Sequence, residues 1–290
     1  MVFLFAFNSS EIAMTIIMGN QLIRARLMGQ SSPVRVYTVP CLRDNYAWII
    51  QDVASGSLAV VDTPSAKPII AKLEELSVSA GTKITILNTH HHRDHTGGNE
   101  VIKERFETVI YGPAKEKIPG IDHKVQEGDV INIGHSSCRV IDLPGHTCGH
   151  VGYVFDNPGM VFVGDTLFGH GCGALFEGSY AQMWNSISKI ISLPPSTIMF
   201  CAHEYTEYNV MFAQSIFPQD ASLQEVFDSV TELRKTGEQT VPSLLEQELL
   251  TNPFLRCRHP HIQSRMGAKN AIEAFKMIRE GKNVWKSPLE

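Results

Sequence analysis

The sequence predicts an α/β domain followed by a smaller helical one, and three observations carry that expectation. Over residues 34–201 short apolar, β-branched runs alternate with only a few helical stretches, four of those runs lead into a His or Asp, and past His203 the pattern changes to amphipathic helices. With 290 residues, 43% of them hydrophobic, there is enough chain for one sizeable core and a small appendage. A net charge of −5 leaves no basic footprint for nucleic acid, so no such partner is expected, and any anion must be held by local basic groups. The six cysteines, Cys41, Cys138, Cys148, Cys172, Cys201 and Cys257, form no Cys-x-x-Cys pair and read as free thiols in a reducing compartment.

Taken in order, residues 35–39, 47–52 and 58–62 read as strands from their β-branched and aromatic content, and residues 67–76 as the first helix. Residues 83–87 are a short buried strand, and Thr96-Gly97-Gly98-Asn99 is a turn that opens a helix at Glu100. Residues 109–112, 130–133, 138–141 and 151–155 follow as strands. Then come a strand at 161–164, a helix over 180–191 and a strand at 198–201. Ser179 with Gln182 three residues on is a capping box for that helix. Residues 209–217, 221–235, 244–250 and 269–280 read as amphipathic helices, with Ser243 and Glu246 predicting a second capping box. Residues 1–33 hold Arg24 and Arg26 against a single acidic residue, Glu11, and two apolar stretches too short to span a bilayer. They are read as an extension with the character of a targeting segment, which places the chain in the cytoplasm or the mitochondrion, with no membrane partner expected.

The most informative segment is Asn88-Thr89-His90-His91-His92-Arg93-Asp94-His95-Thr96. The spacing His90-x-His92-x-Asp94-His95 crowds imidazoles and a carboxylate into one turn of chain just past a strand, a donor set that suits zinc, iron or manganese. One loop cannot fill a two-ion site, and three more segments offer ligands. They are Leu143-Pro144-Gly145-His146-Thr147-Cys148-Gly149-His150, the carboxylate of Asp165 after residues 161–164, and His203 after residues 198–201. A lone His or Asp at a strand exit is more often a cap or a surface group, but four such exits together are what a composite metal site requires.

At these residues the chain resembles the metallo-β-lactamase superfamily, and within it the glyoxalase II (hydroxyacylglutathione hydrolase) family, from about Val34 to the C-terminus. The resemblance implies a four-layer αββα sandwich over 34–205 followed by a small helical domain over 206–290 that binds the thioester. It implies two divalent ions per chain, zinc before iron or manganese, one held by His90, His92 and His146 and the other by Asp94, His95 and His203, with Asp165 bridging. Asp94 and Asp165 would be the catalytic carboxylates, and Asp62 and His150 would orient ligands, although either could equally be structural. Two ions acidify a shared water to near neutral pH, which supplies a hydroxide for a thioester carbonyl.

Markers of the family itself are Gly171-Cys172-Gly173-Ala174-Leu175-Phe176-Glu177-Gly178, His203-Glu204-Tyr205-Thr206, Val241-Pro242-Ser243 and Asn252-Pro253-Phe254-Leu255-Arg256. The resemblance assigns Tyr205, Phe176, Arg279 and Lys282 to substrate, the last two as the basic pair for glutathione's glycine carboxylate. On its own such a pair in a C-terminal helix usually just favours the helix dipole. The family commonly has Lys where this chain has Ala174, a loss that points to weaker glutathione binding or a different thioester. His170 is expected near the substrate and not as a ligand. The implied reaction is hydrolysis of S-D-lactoylglutathione to D-lactate and glutathione by a monomer. A thioesterase for another thiol carrier, a persulfide dioxygenase, a β-lactamase or lactonase, and a binding protein are the alternatives. The last would be expected to have lost ligands, and none of the seven is missing.

Overall fold

A computed structural model describes residues 32–78 and 82–287. The targeting character expected of the N-terminal extension falls on residues 1–31, outside the described residues.

Two six-stranded sheets face each other. The first has the order β1 (Val34–Cys41), β2 (Asn45–Asp52), β3 (Leu58–Val61), β4 (Lys83–Leu87), β5 (Glu107–Pro113), β6 (His123–Val125). Its first three strands are antiparallel neighbours and the rest run parallel. Parallel strands need crossovers: helix α1 (Ala66–Glu75) lies between β3 and β4, helices α2 (Arg93–Thr96) and α3 (Asn99–Arg105) lie between β4 and β5, and residues 114–122 join β5 to β6 without a helix. The second sheet runs β14 (Ser243–Leu244), β13 (Ile198–Cys201), β10 (Met160–Gly164), β9 (Val151–Phe155), β8 (Ser136–Asp142), β7 (Val130–Ile133). A two-stranded ribbon, β11 (Leu167–Phe168) and β12 (Gly171–Cys172), lies beside it in sequence.

Period-two alternation sorts the first sheet's side chains. Ala47, Ile49, Val60, Ile84 and Ile86 join Ile69 and Leu73 of α1 and Ile102 of α3 in one buried cluster. Trp48, Ile50, Ala59, Val61 and Leu87 point the other way, into the larger cluster shared with Tyr153, Phe162 and Phe200 of the second sheet. Trp48 meets Phe200 edge-on at 4.9 Å and Phe162 stacks on Phe200 at 4.5 Å. Helix α4 (Tyr180–Ile191) adds Met183, Ile187 and Ile190 to that cluster, and its N-terminus carries the expected Ser179–Gln182 capping box. Helix, sheet, sheet and helix are thus the layers, as the resemblance implies.

After His203 come α5 (Thr206–Ile216), α6 (Ala221–Lys235), α7 (Leu245–Thr251), α8 (Pro253–Arg256), α9 (Pro260–Met266) and α10 (Ala271–Val284). Helix α10 packs on α4 and α8 through Phe275 and Ile278. One sequence expectation fails here. Ser243 and Glu246 form no capping box, because Ser243 pairs with Met199 as part of β14 and the N-cap of α7 is Leu244, with no side-chain cap. Short elements such as β6, β11, β12, α8 and α9 also escaped the periodicity reading, since two to seven residues are too few to display a period.

Candidate metal centre and active site

Each of four strands ends at the same place. The loop after β4 carries His90, His92, Asp94 and His95, the β8–β9 turn carries His146, and β10 and β13 lead into Asp165 and His203. His92 Nδ1 lies 3.0 Å from His90 Nε2 and 3.1 Å from His146 Nε2. Asp165 stands between two groups, with Oδ2 3.5 Å from His146 Nε2 and Oδ1 3.4 and 3.5 Å from the Nε2 atoms of His95 and His203. Asp94 Oδ2 completes the second group at 3.6 Å from His95 Nε2 and 3.5 Å from His203 Nε2. Two nitrogens bound to one tetrahedral ion by bonds of roughly 2.0–2.1 Å stand about 3.3 Å apart, so these spacings suit ligands around an ion. His95 Nε2 and Asp165 Oδ1 are buried without a hydrogen-bond partner, an arrangement that costs free energy unless a cation satisfies both. The donor set therefore fits a pair of metal ions.

The outer partners decide which nitrogen of each ring keeps its lone pair. His146 Nδ1 donates to the Ala174 carbonyl at 2.7 Å, which leaves Nε2 free. The Thr89 hydroxyl donates to Asp62 Oδ2 at 2.8 Å and so accepts from His90 Nδ1 at 3.0 Å. His95 Nδ1 donates to Asp62 Oδ2 and His203 Nδ1 to Asp44 Oδ1, both at 2.8 Å. Carboxylate or carbonyl partners of this kind fix ring orientation and raise ligand basicity. Asp62 also accepts the Thr89 backbone N–H at 2.8 Å and holds φ at 55°, a left-handed conformation that Asp tolerates better than most residues. His150 plays a different part from the ligands. Its Nε2 accepts the Asp165 N–H at 3.1 Å, and its ring stacks on His90. Gly164, at φ 48°, lets β10 turn toward Asp165, and a Cβ there would lie 2.6 Å from Thr89 Oγ1 and 2.7 Å from His150 Nε2.

Burial pushes His90, His92 and His146 down, so at neutral pH they are lone-pair donors. Burial would do the same to His95, but Asp165 and Asp62 outweigh it and hold His95 up. Burial would raise Asp165, and His95 and His203 instead hold it well below the usual carboxylate range. These opposed pulls mark where the cluster takes positive charge. Asp165 likewise holds His203 up, and a metal ion held here would have to displace the protons of His95 and His203, so metal affinity is expected to fall as pH drops. Replacing Asp62 with Ala removes the acceptor for His95 Nδ1 and Thr89. We expect metal affinity to drop about tenfold to a hundredfold in competition against a chromophoric chelator. Unchanged affinity would mean that packing alone orients the ring.

The remaining predicted residues border this cluster. Phe176 is 69% exposed, its ring 5.6 Å from His92 and 5.1 Å from His146. Tyr205 stacks on His203 at 4.7 Å, and burial, with Asp44 next, pushes its hydroxyl pKa up. Arg279 and Lys282 are buried side by side. Arg279 donates to the Cys172 carbonyl at 2.6 Å and leaves its Nε without a partner, while Lys282 meets Asn209 Oδ1. Both of these acceptors are neutral amide oxygens and not carboxylates. Cys172 lies two residues before Ala174, whose carbonyl accepts from His146, so the carbonyls that Arg279 and His146 use are at most about 7 Å apart along the chain. His170 has its backbone N–H on Glu248 at 2.9 Å and its Nδ1 by Thr251 at 2.9 Å.

Sequence reading missed Asp44 and Asn45. Asn45 Nδ2 donates to Asp94 Oδ2 at 3.1 Å, and both residues sit in a polar strand turn with no local mark of a role.

Residues 42–203 match the metallo-beta-lactamase superfamily, and residues 204–285 match the hydroxyacylglutathione hydrolase C-terminus. A protein of Chelativorans sp. named hydroxyacylglutathione hydrolase is 44% identical over 249 residues, covering 84% of this chain and 96% of its own. One of that name from Methylococcus capsulatus is 42% identical over 257 residues, covering 87% and 99%. The crystal structure of ETHE1 from Myxococcus xanthus superposes with a TM-score of 0.62 at 20% identity, over 87% of this chain and 92% of that one, a likeness of fold alone. By sequence over nearly its relatives' whole length, and by both halves of its architecture, the chain belongs to the hydroxyacylglutathione hydrolase (glyoxalase II) family of the metallo-β-lactamase superfamily.

Proposed function

We infer that this chain is a hydroxyacylglutathione hydrolase, cleaving S-D-lactoylglutathione and related S-2-hydroxyacylglutathiones into a 2-hydroxy acid and glutathione, the hydrolytic step of methylglyoxal detoxification. The observation that carries this reading is the pairing of seven converging metal-type ligands with two buried basic side chains whose hydrogen bonds go to neutral acceptors. A thioester whose thiol bears a carboxylate some way from sulfur fits both at once.

When bound, the two divalent ions, zinc first by donor chemistry, supply an acidified water and a Lewis acid for the carbonyl oxygen. His90, His92 and His146 would hold one and Asp94, His95 and His203 the other, with Asp165 shared. Asp94, whose side chain is 41% exposed, is the carboxylate open to substrate, and Asn45 fixes its direction so that it can orient a proton-bearing oxygen. The Tyr205 hydroxyl, kept protonated, would donate to the substrate. Phe176 would cover one side of the reacting group and exclude water. Arg279 and Lys282 would take the glycine carboxylate, Arg by its fork and Lys as a point charge. Ala174 adds no third cation, so these two carry the recognition.

The test is steady-state hydrolysis of S-D-lactoylglutathione by purified protein, with metal content measured on the same sample and a chelated control. Fast turnover that chelation abolishes is expected. Absent turnover with two ions bound would reject glutathione as the carrier, and turnover indifferent to chelation would reject the metal chemistry.

A further inference from the structure

The ligands of the three-imidazole half come from two loops on different sheets. His90 and His92 follow β4 of the first sheet, and His146 follows β8 of the second. Asp62, Asp44 and the Ala174 carbonyl each steer individual rings. Two further side chains touch both loops, and one of them is buried. Glu116, in the segment after β5, accepts the His91 backbone N–H at 2.6 Å and His91 Nδ1 at 3.0 Å on Oε2. Its Oε1 accepts the Thr147 hydroxyl and, at 2.9 Å, the Gly149 N–H. Although it sits between Lys115 and Lys117 in an exposed stretch, its side chain is only 3% exposed. Gly149 has no Cβ where the Glu116 stem passes, and one placed there would collide with Cγ. Glu177 reinforces the junction by accepting the Cys148 N–H at 2.8 Å and facing His91 Nε2 at 3.4 Å.

We propose that Glu116 is a positioning residue that clamps the two loops together and thereby sets the spacing of His90, His92 and His146. A carboxylate has about four acceptor sites, and four donors occupy them. His91, Glu116 and Glu177 lie close enough to resemble a third metal site, but Glu116 has no acceptor left for an ion. Charge-assisted bonds to backbone N–H groups are short and directional, so the clamp resists separation of loops that nothing covalent joins. Glutamine in its place would offer one oxygen and turn an NH2 group toward donors.

The proposal rests on the two-ion reading, and the test separates them. Metal binding is measured by competition with a chromophoric chelator on wild type, Glu116→Gln and Thr147→Val. Wild type should hold two ions tightly. Glu116→Gln should keep one and bind the other about tenfold to a hundredfold more weakly, with KM for the thioester unchanged because the cation pair lies elsewhere. Adding His92→Ala to Glu116→Gln should remove no further tight ion, whereas adding His203→Ala should remove the remaining one. Thr147→Val keeps the shape and deletes one donor, so it should weaken the same ion about two- to tenfold, and it decides the matter if Glu116→Gln fails to fold. Wild-type affinity at both positions in the folded variants would overturn the clamp alone. Fewer than two ions on wild type would overturn the two-ion reading and the clamp with it.

Discussion

Asp165→Ala is expected to lose turnover and metal together. Asp165 is buried, directs Oδ1 toward His95 and His203 and Oδ2 toward His146, and is the one carboxylate that faces both ligand groups. Its Oδ1 faces the two imidazoles without making a well-formed hydrogen bond to either, which leaves it available to a cation. Truncation leaves buried, charge-dependent groups without their counterpart, a loss of about 3–5 kcal/mol, or roughly a hundredfold to several thousandfold. Metal stoichiometry and turnover measured on one preparation give the answer. The expected result is a fall in kcat of about a thousandfold with a fall in bound metal. Unchanged stoichiometry would remove Asp165 from a bridging position. Asp165→Asn sharpens the comparison, since it keeps the shape and the acceptor oxygen but not the charge.

The second large effect is expected at Lys282. Burial pushes its ammonium down from 10.5 to about 7, and the neighbouring Arg279 adds to the shift. Below pH 7 the free enzyme presents two cations to a carboxylate, and above it one. We therefore expect kcat/KM to fall on the alkaline side by up to about tenfold per pH unit, while kcat at saturating substrate holds, because bound carboxylate restores the charge. Lys282→Met should abolish that alkaline fall and raise KM about tenfold to a hundredfold, the worth of one charge-assisted hydrogen bond. An unaltered KM would count against carboxylate recognition there. The stability consequence runs the opposite way. Between about pH 7 and 10.5 the unfolded chain holds a proton on Lys282 that the folded chain has released, so folding stability rises with pH across that window. A denaturation series in pH separates this from the binding effect.

Strands, ligand-type residues and most helices were legible because each is a local pattern. The β4 run Lys83–Leu87 leads straight into His90-x-His92-x-Asp94-His95, and α4 carries its own start signal in Ser179 and Gln182. Where a local signal competed with a distant partner, the distant partner won. Ser243 has the residue type and spacing of a helix cap, yet its backbone is taken by Met199 in β14. His170, expected near the substrate, has its backbone N–H and ring fixed by Glu248 and Thr251 of α7, 78 and 81 positions away.

The chain's own sequence was enough to determine the fold class, the identity of the ligand-type residues and the order in which they occur, since strand periodicity and donor chemistry are properties of neighbouring residues. Only the tertiary structure decided which atom of each ring keeps its lone pair and what holds the rings apart. Asp44 reaches His203 across 159 positions, Asp62 reaches His95 across 33, and Glu116 joins His91 to Thr147 and Gly149 across 25 to 33. A carboxylate between two lysines or in a strand turn reads as a solvated charge until the fold buries it against donors from another sheet. Desolvation and hydrogen-bond geometry, which turn an ordinary Asp or Glu into a determinant of the site, arise only when those segments meet.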